Sequence, residues 1–211
     1  MAARFLDDEA RAAFKETIES IERASSVEVV VVVRRRAARH LHANVIVGVA
    51  VAIAGLAATL FTEHAFALPS ILVDPFLLGA IAGGLVELLP DVKRALTPAG
   101  LRSAAVAHAA NATFVERGVH CTVGRSGLLV YIAWLERRVA LVADVELARR
   151  WSDDARDALA ARLTAAIPRG GAAVARELAQ AMAALGRAMP HRPDDVNELP
   201  DAVDSDLERR R

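Results

Sequence analysis

The sequence ANVIVGVAVAIAGLAATLFT fills residues 43–62, and the organisation of the whole chain depends on it. These 20 residues include no charged side chain. As an α-helix the stretch would be about 30 Å long, which matches the hydrocarbon thickness of a bilayer. It therefore predicts a transmembrane helix. The alternative is a buried helix of a soluble protein, in which uncharged runs of this length are rare.

A second apolar stretch, residues 68–86, follows after a short polar turn. Asp74 and Pro75 lie inside it, and this pair predicts a helix N-cap followed by proline at the first helical position. A helix over residues 75–89 would be only about 22 Å long. We therefore expect the span to include residues 71–73 as well, with Asp74 near the outer interface of the membrane.

Basic side chains lie on one side of this pair of apolar stretches. They precede the first stretch and follow the second, and the turn between has none: Arg34, Arg35, Arg36, Arg39, Lys93, Arg94 and Arg102. Cytoplasmic flanks of membrane helices carry an excess of lysine and arginine. The pattern predicts a protein of the cytoplasmic (inner) membrane with two spans, whose soluble domain and both termini lie in the cytoplasm. Its first partner is then the lipid bilayer.

The segments outside the hairpin predict one soluble domain. A helical pattern over residues 7–23 leads into VEVVVVV at residues 27–33, whose β-branched run is typical of a strand buried on both faces. After the hairpin the patterns predict helix, strand, strand, helix, helix at residues 101–117, 127–134, 138–143, 152–167 and 172–189. Asp7 and Ser152 are the expected N-caps of the helices at residues 7–23 and 152–167, each of which has acidic residues in its first turn.

The expected fold class is α/β, a three-layer sandwich with a small mixed sheet, interrupted by a two-helix transmembrane hairpin. Residues 1–39 and 101–190 would form the two parts of the α/β domain. Residues 43–92 would form the hairpin, and residues 191–211 an acidic, polar tail.

Composition excludes some classes of protein. Lys+Arg and Asp+Glu both number 26, so the formal net charge is zero and no basic face for nucleic acid is expected. Cys121 is the single cysteine, which rules out an internal disulfide framework. The sequence also lacks a P-loop and the Cys-x5-Arg pattern of a cysteine phosphatase, because Gly127 stands where that arginine would be.

Three stretches together resemble the TPM-domain family. FLDDEARAAFKETIESIERASSVEVVVVV at residues 5–33 is similar to the family's opening helix and strand. VERGVHCTVGRSGLLVYIAWLERRVALVAD at residues 115–144 is similar to its central Thr/Gly loop, strand, Glu-Arg-Arg turn and second strand. PDDVNELPD at residues 193–201 is similar to its closing stretch. Val27 departs from the pattern, since the family often has glycine there.

The resemblance implies a membrane-attached protein of uncharacterised role. The resemblance also suggests that this chain is one of the family variants that have a membrane hairpin after the first strand. Plant thylakoid relatives are linked to photosystem repair and are described as acid phosphatases, and some relatives bind calcium or similar ions. Two functions stay open: a membrane-anchored accessory or interaction module with a protein partner at the membrane, able to bind a divalent cation, and a metal-dependent acid phosphatase.

Carboxylates near the end of the predicted sheet and in the tail are the candidate metal ligands. Hard cations such as Ca²⁺ or Mg²⁺ take several oxygen ligands, and an acidic cluster could supply them. The spacing is not that of an EF-hand loop. The candidate set is Asp144, Glu146, Asp194, Asp195 and Glu198. The alternative is a turn at a strand end together with a solvated acidic tail.

Overall fold

The structure is a computed structural model that describes residues 5–64, 66–192, 197–200 and 202–207. Its helices are α1 (Asp8–Ala24), α2 (Leu41–Phe61), α3 (Leu68–Leu85), α4 (Pro90–Leu96), α5 (Ala99–Glu116), α6 (Val145–Arg150), α7 (Asp153–Ala166), α8 (Gly171–Ala179) and α9 (Met182–Ala188). Its strands are β1 (Val29–Arg34), β2 (Leu128–Ala133), β3 (Arg138–Ala143) and β4 (Asp204–Ser205). The chain forms two compact units. One is Arg39–Arg102, and the other, called the sheet-bearing unit below, consists of Met1–Ala38 and Ser103–Arg211.

The strands form one mixed sheet in the order β3-β2-β1-β4, over the part of the chain that is described. β1 is parallel to β2 from Val29↔Leu128 to Arg34↔Ala133, and β2 is antiparallel to β3. β4 adds a two-residue parallel strand on the other edge of β1. The predicted α/β class with a small mixed sheet is confirmed, with one strand more than the sequence predicted.

β1 is buried on both faces, as its continuous valine run predicts. Val29, Val31 and Val33 belong to a hydrophobic cluster that includes residues of α1, α7 and α8. Val30 and Val32 belong to a second cluster, on the opposite face, that includes Val106 and Ala110 of α5. Alternate side chains of a strand point to opposite faces, so a strand between two apolar layers needs no polar alternation.

The predicted helix caps of the sheet-bearing unit are confirmed. The Asp7 carboxylate accepts a hydrogen bond from the Ala10 N–H at 2.9 Å, at the start of α1. The Ser152 hydroxyl accepts one from the Ala155 N–H at 3.3 Å, at the start of α7. Each side-chain oxygen satisfies one backbone donor that the first helical turn leaves without a partner.

The second apolar helix does not begin at Asp74, so that part of the prediction is wrong. α3 starts at Leu68, has proline in its first turn, and continues through Pro75. The apolar residues before Asp74 extend the helix, and Pro75 costs it only one backbone hydrogen bond. The ring of Pro75 lies against Gly55, whose added Cβ would be 3.4 Å from the Pro75 Cβ.

The predicted last helix, residues 172–189, is two helices. α8 ends at Ala179 and α9 begins at Met182. The break places Ala181 in the core, 3% exposed, whereas Met182 is 39% exposed. Helical spacing from Leu178 would have buried Met182 instead. No glycine or proline marks the break, so the sequence pattern alone could not locate it.

The tail was expected to be a separate acidic segment, but its described part completes the sheet. β4 lies in it, and Leu207 is 8% exposed within the hydrophobic cluster on the α1 side of the sheet. The two residues of β4, an aspartate and a serine, carry too weak a pattern to be predicted as a strand.

Candidate functional site

α2 and α3 pack against each other antiparallel, at very short range. A Cβ added at Gly79 would lie 2.5 Å from the Gly48 carbonyl oxygen, and one at Gly83 would lie 2.8 Å from the Asn44 oxygen. Neither position can accept a side chain without moving the helices apart. Gly84, by contrast, faces open space, because a Cβ there would meet nothing within 4 Å. The expected close contact therefore includes Gly48, Gly79 and Gly83 but not Gly84.

The outward faces of these two helices are apolar and exposed. The helical segments Leu41–Phe61 and Leu68–Leu88 each have 21 residues and are long and apolar enough to cross a membrane, by length and composition. In their most apolar windows only 6% and 22% of the residues are buried. The interhelical contact thus uses the glycines, while leucine, isoleucine and phenylalanine side chains point outward.

A polar network closes one end of the same unit. The Lys93 ammonium, 3% exposed, lies 2.5 Å from the Glu87 Oε1. The Asn44 amide donates to the same oxygen at 3.3 Å. A buried ammonium requires such a partner, since its transfer out of water is otherwise costly. This network ties the start of α2 to the segment that follows α3.

Asp144, the first of the predicted metal ligands, is buried at the end of β3, with 3% of its surface exposed. Its Oδ1 accepts a hydrogen bond from the Val145 N–H at 2.7 Å and caps α6. Its Oδ2 lies 3.3 Å from the Arg125 Nε. Oδ1 is thus hydrogen-bonded, whereas the buried Oδ2 makes this ion pair and accepts no hydrogen bond from the described residues.

Arg125 connects Asp144 to the loop before β2. Arg125 has φ +49° and donates from Nη1 to the His120 carbonyl oxygen at 2.5 Å. The next-but-one residue, Gly127, could not be replaced by a residue with a Cβ, which would lie 2.2 Å from the Val119 oxygen. The Gly-Arg-Ser-Gly sequence therefore forms a tight turn into a strand, held by a buried carboxylate.

Glu198 holds the same loop from the tail. Both of its carboxylate oxygens accept from the Val123 N–H at 3.1 Å. Glu146 is instead placed at the surface, where it pairs with Arg149 at 2.8 Å on its own helix. Asp144 and Glu198 thus bind neighbouring parts of one loop, and Glu146 does not.

The predicted metal set is only partly within the described residues, because Asp194 and Asp195 lie outside them. Within the described ranges, no three His, Cys, Asp or Glu side chains are grouped so that they could hold a metal ion. Asp144 Oδ1 and both Glu198 oxygens accept hydrogen bonds from backbone N–H groups, and Asp144 Oδ2 forms an ion pair with Arg125. A site that includes Asp194 and Asp195 stays a prediction.

Glu136, which sequence reasoning passed over, is one of the most deeply buried side chains. It is 1% exposed, and its Oε1 accepts from the Ala37 N–H at 3.1 Å and the Ala38 N–H at 3.4 Å. These backbone groups belong to the segment that leads from β1 to α2. The Glu-Arg-Arg turn was a detectable signal, because it places a carboxylate among the apolar residues of a hairpin.

Replacement of Glu136 by alanine is expected to lower the free energy of unfolding by about 3 kcal/mol, since it leaves two backbone donors without their charged acceptor. Glu136→Gln keeps an acceptor oxygen and should cost about half as much. Chemical denaturation of the purified chain, followed by tryptophan fluorescence, measures both. Glu116→Ala, at an exposed position, is the matched control and should change stability by less than about 0.5 kcal/mol. Equal losses in all three variants would contradict the anchoring role.

A polar cavity of about 450 Å³ lies beside the start of β1. It is lined by Glu19, Glu22, Arg23, Ser25, Glu28, His191 and Asn197. Glu28 is 5% exposed and accepts from the Glu198 and Leu199 N–H groups, while Glu22 accepts from the Val29 N–H at 3.2 Å. Glu28 is the one charged residue in the valine run of residues 27–33, and this was the sequence signal for the cluster. Its carboxylates bind backbone donors and fix the tail against β1.

A charge cluster fastens the tail to the opposite end of β1. The Arg34 Nη2 lies 2.6 Å from the Asp204 Oδ2, and Arg117 pairs with the same oxygen. The hydrogen bond from Arg34 holds the pKa of Asp204 below its usual value. Burial raises the pKa of the neighbouring Tyr131 to about 12. The Asp204 contact is therefore a charged one at neutral pH and above.

Comparison with known proteins yields a similar fold. No family model matches the chain, and no curated protein matches it. The chain is similar to the NMR structure of the BA42 protein from the psychrophilic bacterium Bizionia argentinensis, with a TM-score of 0.57 and 16% sequence identity. The match covers 95% of this chain and 95% of that one. At this identity the likeness concerns the fold alone.

Proposed function

We propose that the chain is a two-span protein of the cytoplasmic membrane. In this proposal its sheet-bearing unit is a TPM-like, three-layer α/β sandwich on the cytoplasmic side, and it serves as a membrane-anchored interaction module. α2 and α3 are the transmembrane hairpin. The module holds its binding surfaces close to the bilayer, where a membrane partner can meet them.

The observation that carries this proposal is the exposure of the two apolar helices. A core helix of a soluble protein has most of its apolar surface buried, but the apolar windows of these helices are 6% and 22% buried. In water, so much exposed hydrocarbon would cost about 25 cal/mol for each Å². In a bilayer the same side chains contact lipid, and the backbone polar groups are satisfied within the helices.

Two further features support the orientation and the family. Basic residues flank the hairpin only at its outer ends, which by the positive-inside rule favours a cytoplasmic sheet-bearing unit. The close Gly48–Gly79 approach is the kind of small-residue packing that brings membrane helices together. The order helix, strand, hairpin, helix, strand, strand is the order on which the TPM resemblance rests.

Cysteine labelling of intact cells tests the topology. In a Cys121→Ser background, Glu63→Cys places a thiol in the turn between the helices, and Asp157→Cys places one on the exposed surface of α7. We expect a membrane-impermeant maleimide to label Glu63→Cys in intact cells, and Asp157→Cys only after the membrane is permeabilised.

The two variants control for each other, since both carry a single exposed thiol on the same protein. Labelling of both only after permeabilisation would contradict the two-span topology. Labelling of Asp157→Cys in intact cells would place the sheet-bearing unit outside and reverse the orientation.

A further inference from the structure

One edge of β1 pairs with the tail, and over the described residues this pairing covers only part of the strand. β1 has six residues, and β4 pairs with two of them, through Val32↔Asp204 and Val33↔Ser205. One more backbone contact follows, from the Asp206 N–H to the Val33 oxygen at 3.3 Å. On its other edge β1 pairs with β2 along its full length.

At the start of β1 a side chain, and not a neighbouring strand, accepts the backbone hydrogen bond. The Val29 N–H donates to the Glu22 carboxylate, which lines the polar cavity of about 450 Å³. A carboxylate on a helix can rotate away, whereas a paired strand cannot. Over the described residues, the β1 edge is therefore longer than the strand that pairs with it, and a longer extended segment could form more of its backbone hydrogen bonds.

The contacts to the tail define what this edge recognises. Arg34 and Arg117 converge on the Asp204 carboxylate. Two residues further on, the Asp206 carboxylate accepts from the Arg35 N–H at 2.6 Å. The Arg34 Nη1 also donates to the Asp204 carbonyl oxygen at 3.4 Å. Two guanidinium groups and a backbone N–H thus recognise two carboxylates at alternate positions of an extended chain.

Apolar contacts complete the recognition on both faces of the sheet. Leu199 packs against the cluster on the α5 side of the sheet, while Val203 and Leu207 pack against the cluster on the α1 side. Leu207 is the best buried of the three. The pattern that the edge accepts is Asp-x-Asp followed by an apolar residue, in an extended conformation parallel to β1.

The ion pairs that hold the tail are partly exposed to solvent. Side-chain exposure is 21% for Arg34, 30% for Asp204 and 47% for Arg117, and solvent screening weakens ion pairs of this kind. Covalent attachment keeps the tail at an effective concentration of about millimolar, so a weak contact suffices to occupy the edge. A partner that pairs with more of β1 could displace it.

We propose that the β1 edge, with Arg34 and Arg117, is a docking site for an extended acidic peptide segment of a partner protein, and that the chain's own residues 202–207 are its built-in competitor. Addition of a strand to a sheet edge is a known mode of peptide recognition, in which backbone hydrogen bonds give affinity and side-chain contacts give specificity. Here the two arginines supply the specificity for carboxylates.

Binding of a labelled peptide in trans tests this proposal. The probe is fluorescent DAVDSDLERRR, the sequence of residues 201–211, and the control peptide is DAVNSNLERRR. The proteins are the full chain in detergent, the chain truncated after Pro200, and the full chain with Asp204→Asn and Asp206→Asn. The last variant keeps the whole tail, so it reports on the edge even where truncation impairs folding.

We expect the truncated chain and the double variant to bind the probe at least about tenfold more tightly than the full chain, because each loss of a charged hydrogen bond to the tail is worth about that factor. The control peptide should bind about tenfold or more weakly, and Arg34→Gln in the truncated chain should reduce the preference between the two peptides, since Arg117 and the Arg35 N–H remain.

Three outcomes would overturn the proposal. The first is a folded truncated chain and a double variant that both fail to bind the probe. The second is equal binding of the probe and the control peptide. The third is a full chain that is dimeric in size-exclusion chromatography and binds the probe only when the dimer dissociates. That result would identify the occupant of the edge as the tail of a second copy.

Discussion

Ile53→Arg is expected to remove the protein from the membrane fraction. Ile53 lies near the middle of α2 and is 64% exposed. At the centre of a membrane helix arginine costs about 2.5–3.5 kcal/mol, and isoleucine contributes a few tenths in the other direction. The total of about 3 kcal/mol lowers the ratio of inserted to non-inserted helix by more than about a hundredfold.

Alkaline carbonate extraction of membranes measures this change, because it leaves integral proteins in the pellet. Val123→Arg is the matched control: Val123 is 91% exposed in the sheet-bearing unit, and the substitution should leave the protein in the pellet. In a soluble protein an exposed Ile53→Arg would be nearly neutral, within about 0.5 kcal/mol. Equal behaviour of the two variants would therefore contradict a membrane hairpin.

The sequence was sufficient for features that depend on local chemistry. The valine run of β1, the caps at Asp7 and Ser152, and the close contact of the small residues in α2 and α3 each follow from propensity or side-chain size. The same holds for the strand that ends before Asp144. In these places the local conformational preference and the tertiary packing favour the same structure, so the local sequence pattern is enough to predict it.

Features that depend on contacts between distant residues could not be predicted in this way. Glu136 accepts a hydrogen bond from a backbone group 99 residues away, and Asp204 meets Arg34 across 170 residues of the chain. Asp144 and Glu198 were predicted as metal ligands because acidic residues near a strand end or in a tail can supply oxygen ligands, and this stays a prediction. Their contacts with Arg125 and with the Val123 N–H are visible only in the fold.

The error at Asp74 has a different cause. Asp followed by proline is a good helix start in water, where the aspartate caps backbone donors. Within an apolar run the residues before it are equally able to form helix, and leaving their backbone groups without partners would cost more than the one hydrogen bond lost at Pro75. The cap pattern was therefore outweighed by the length of the apolar run.

Gly79→Leu is expected to separate α2 from α3. The Cβ alone would lie 2.5 Å from the Gly48 oxygen and 2.8 Å from the Ala52 Cβ. Both neighbours belong to a helix, so neither can move without shifting its backbone. Overpacking of this kind costs about 1–3 kcal/mol, and a backbone neighbour favours the upper end. The fraction of closely packed hairpin should fall by about tenfold or more.

A disulfide between the helices reports the packing. In the Cys121→Ser background, Gly55→Cys and Pro75→Cys bring together two Cβ positions that lie 3.4 Å apart, close to the separation of about 3.5–4.5 Å that a disulfide requires. We expect rapid crosslinking in membranes treated with a mild oxidant, and a crosslinking rate about tenfold lower when Gly79→Leu is added.

Gly84→Leu is the control that separates packing from helix propensity. It makes the same chemical change in the same helix, five positions away, where an added Cβ meets nothing within 4 Å. It gains the same helix propensity as Gly79→Leu and should leave the crosslinking rate unchanged. If both variants slowed crosslinking equally, the loss would come from the substitution of glycine in general, and the Gly48–Gly79 contact would not be what holds the hairpin together.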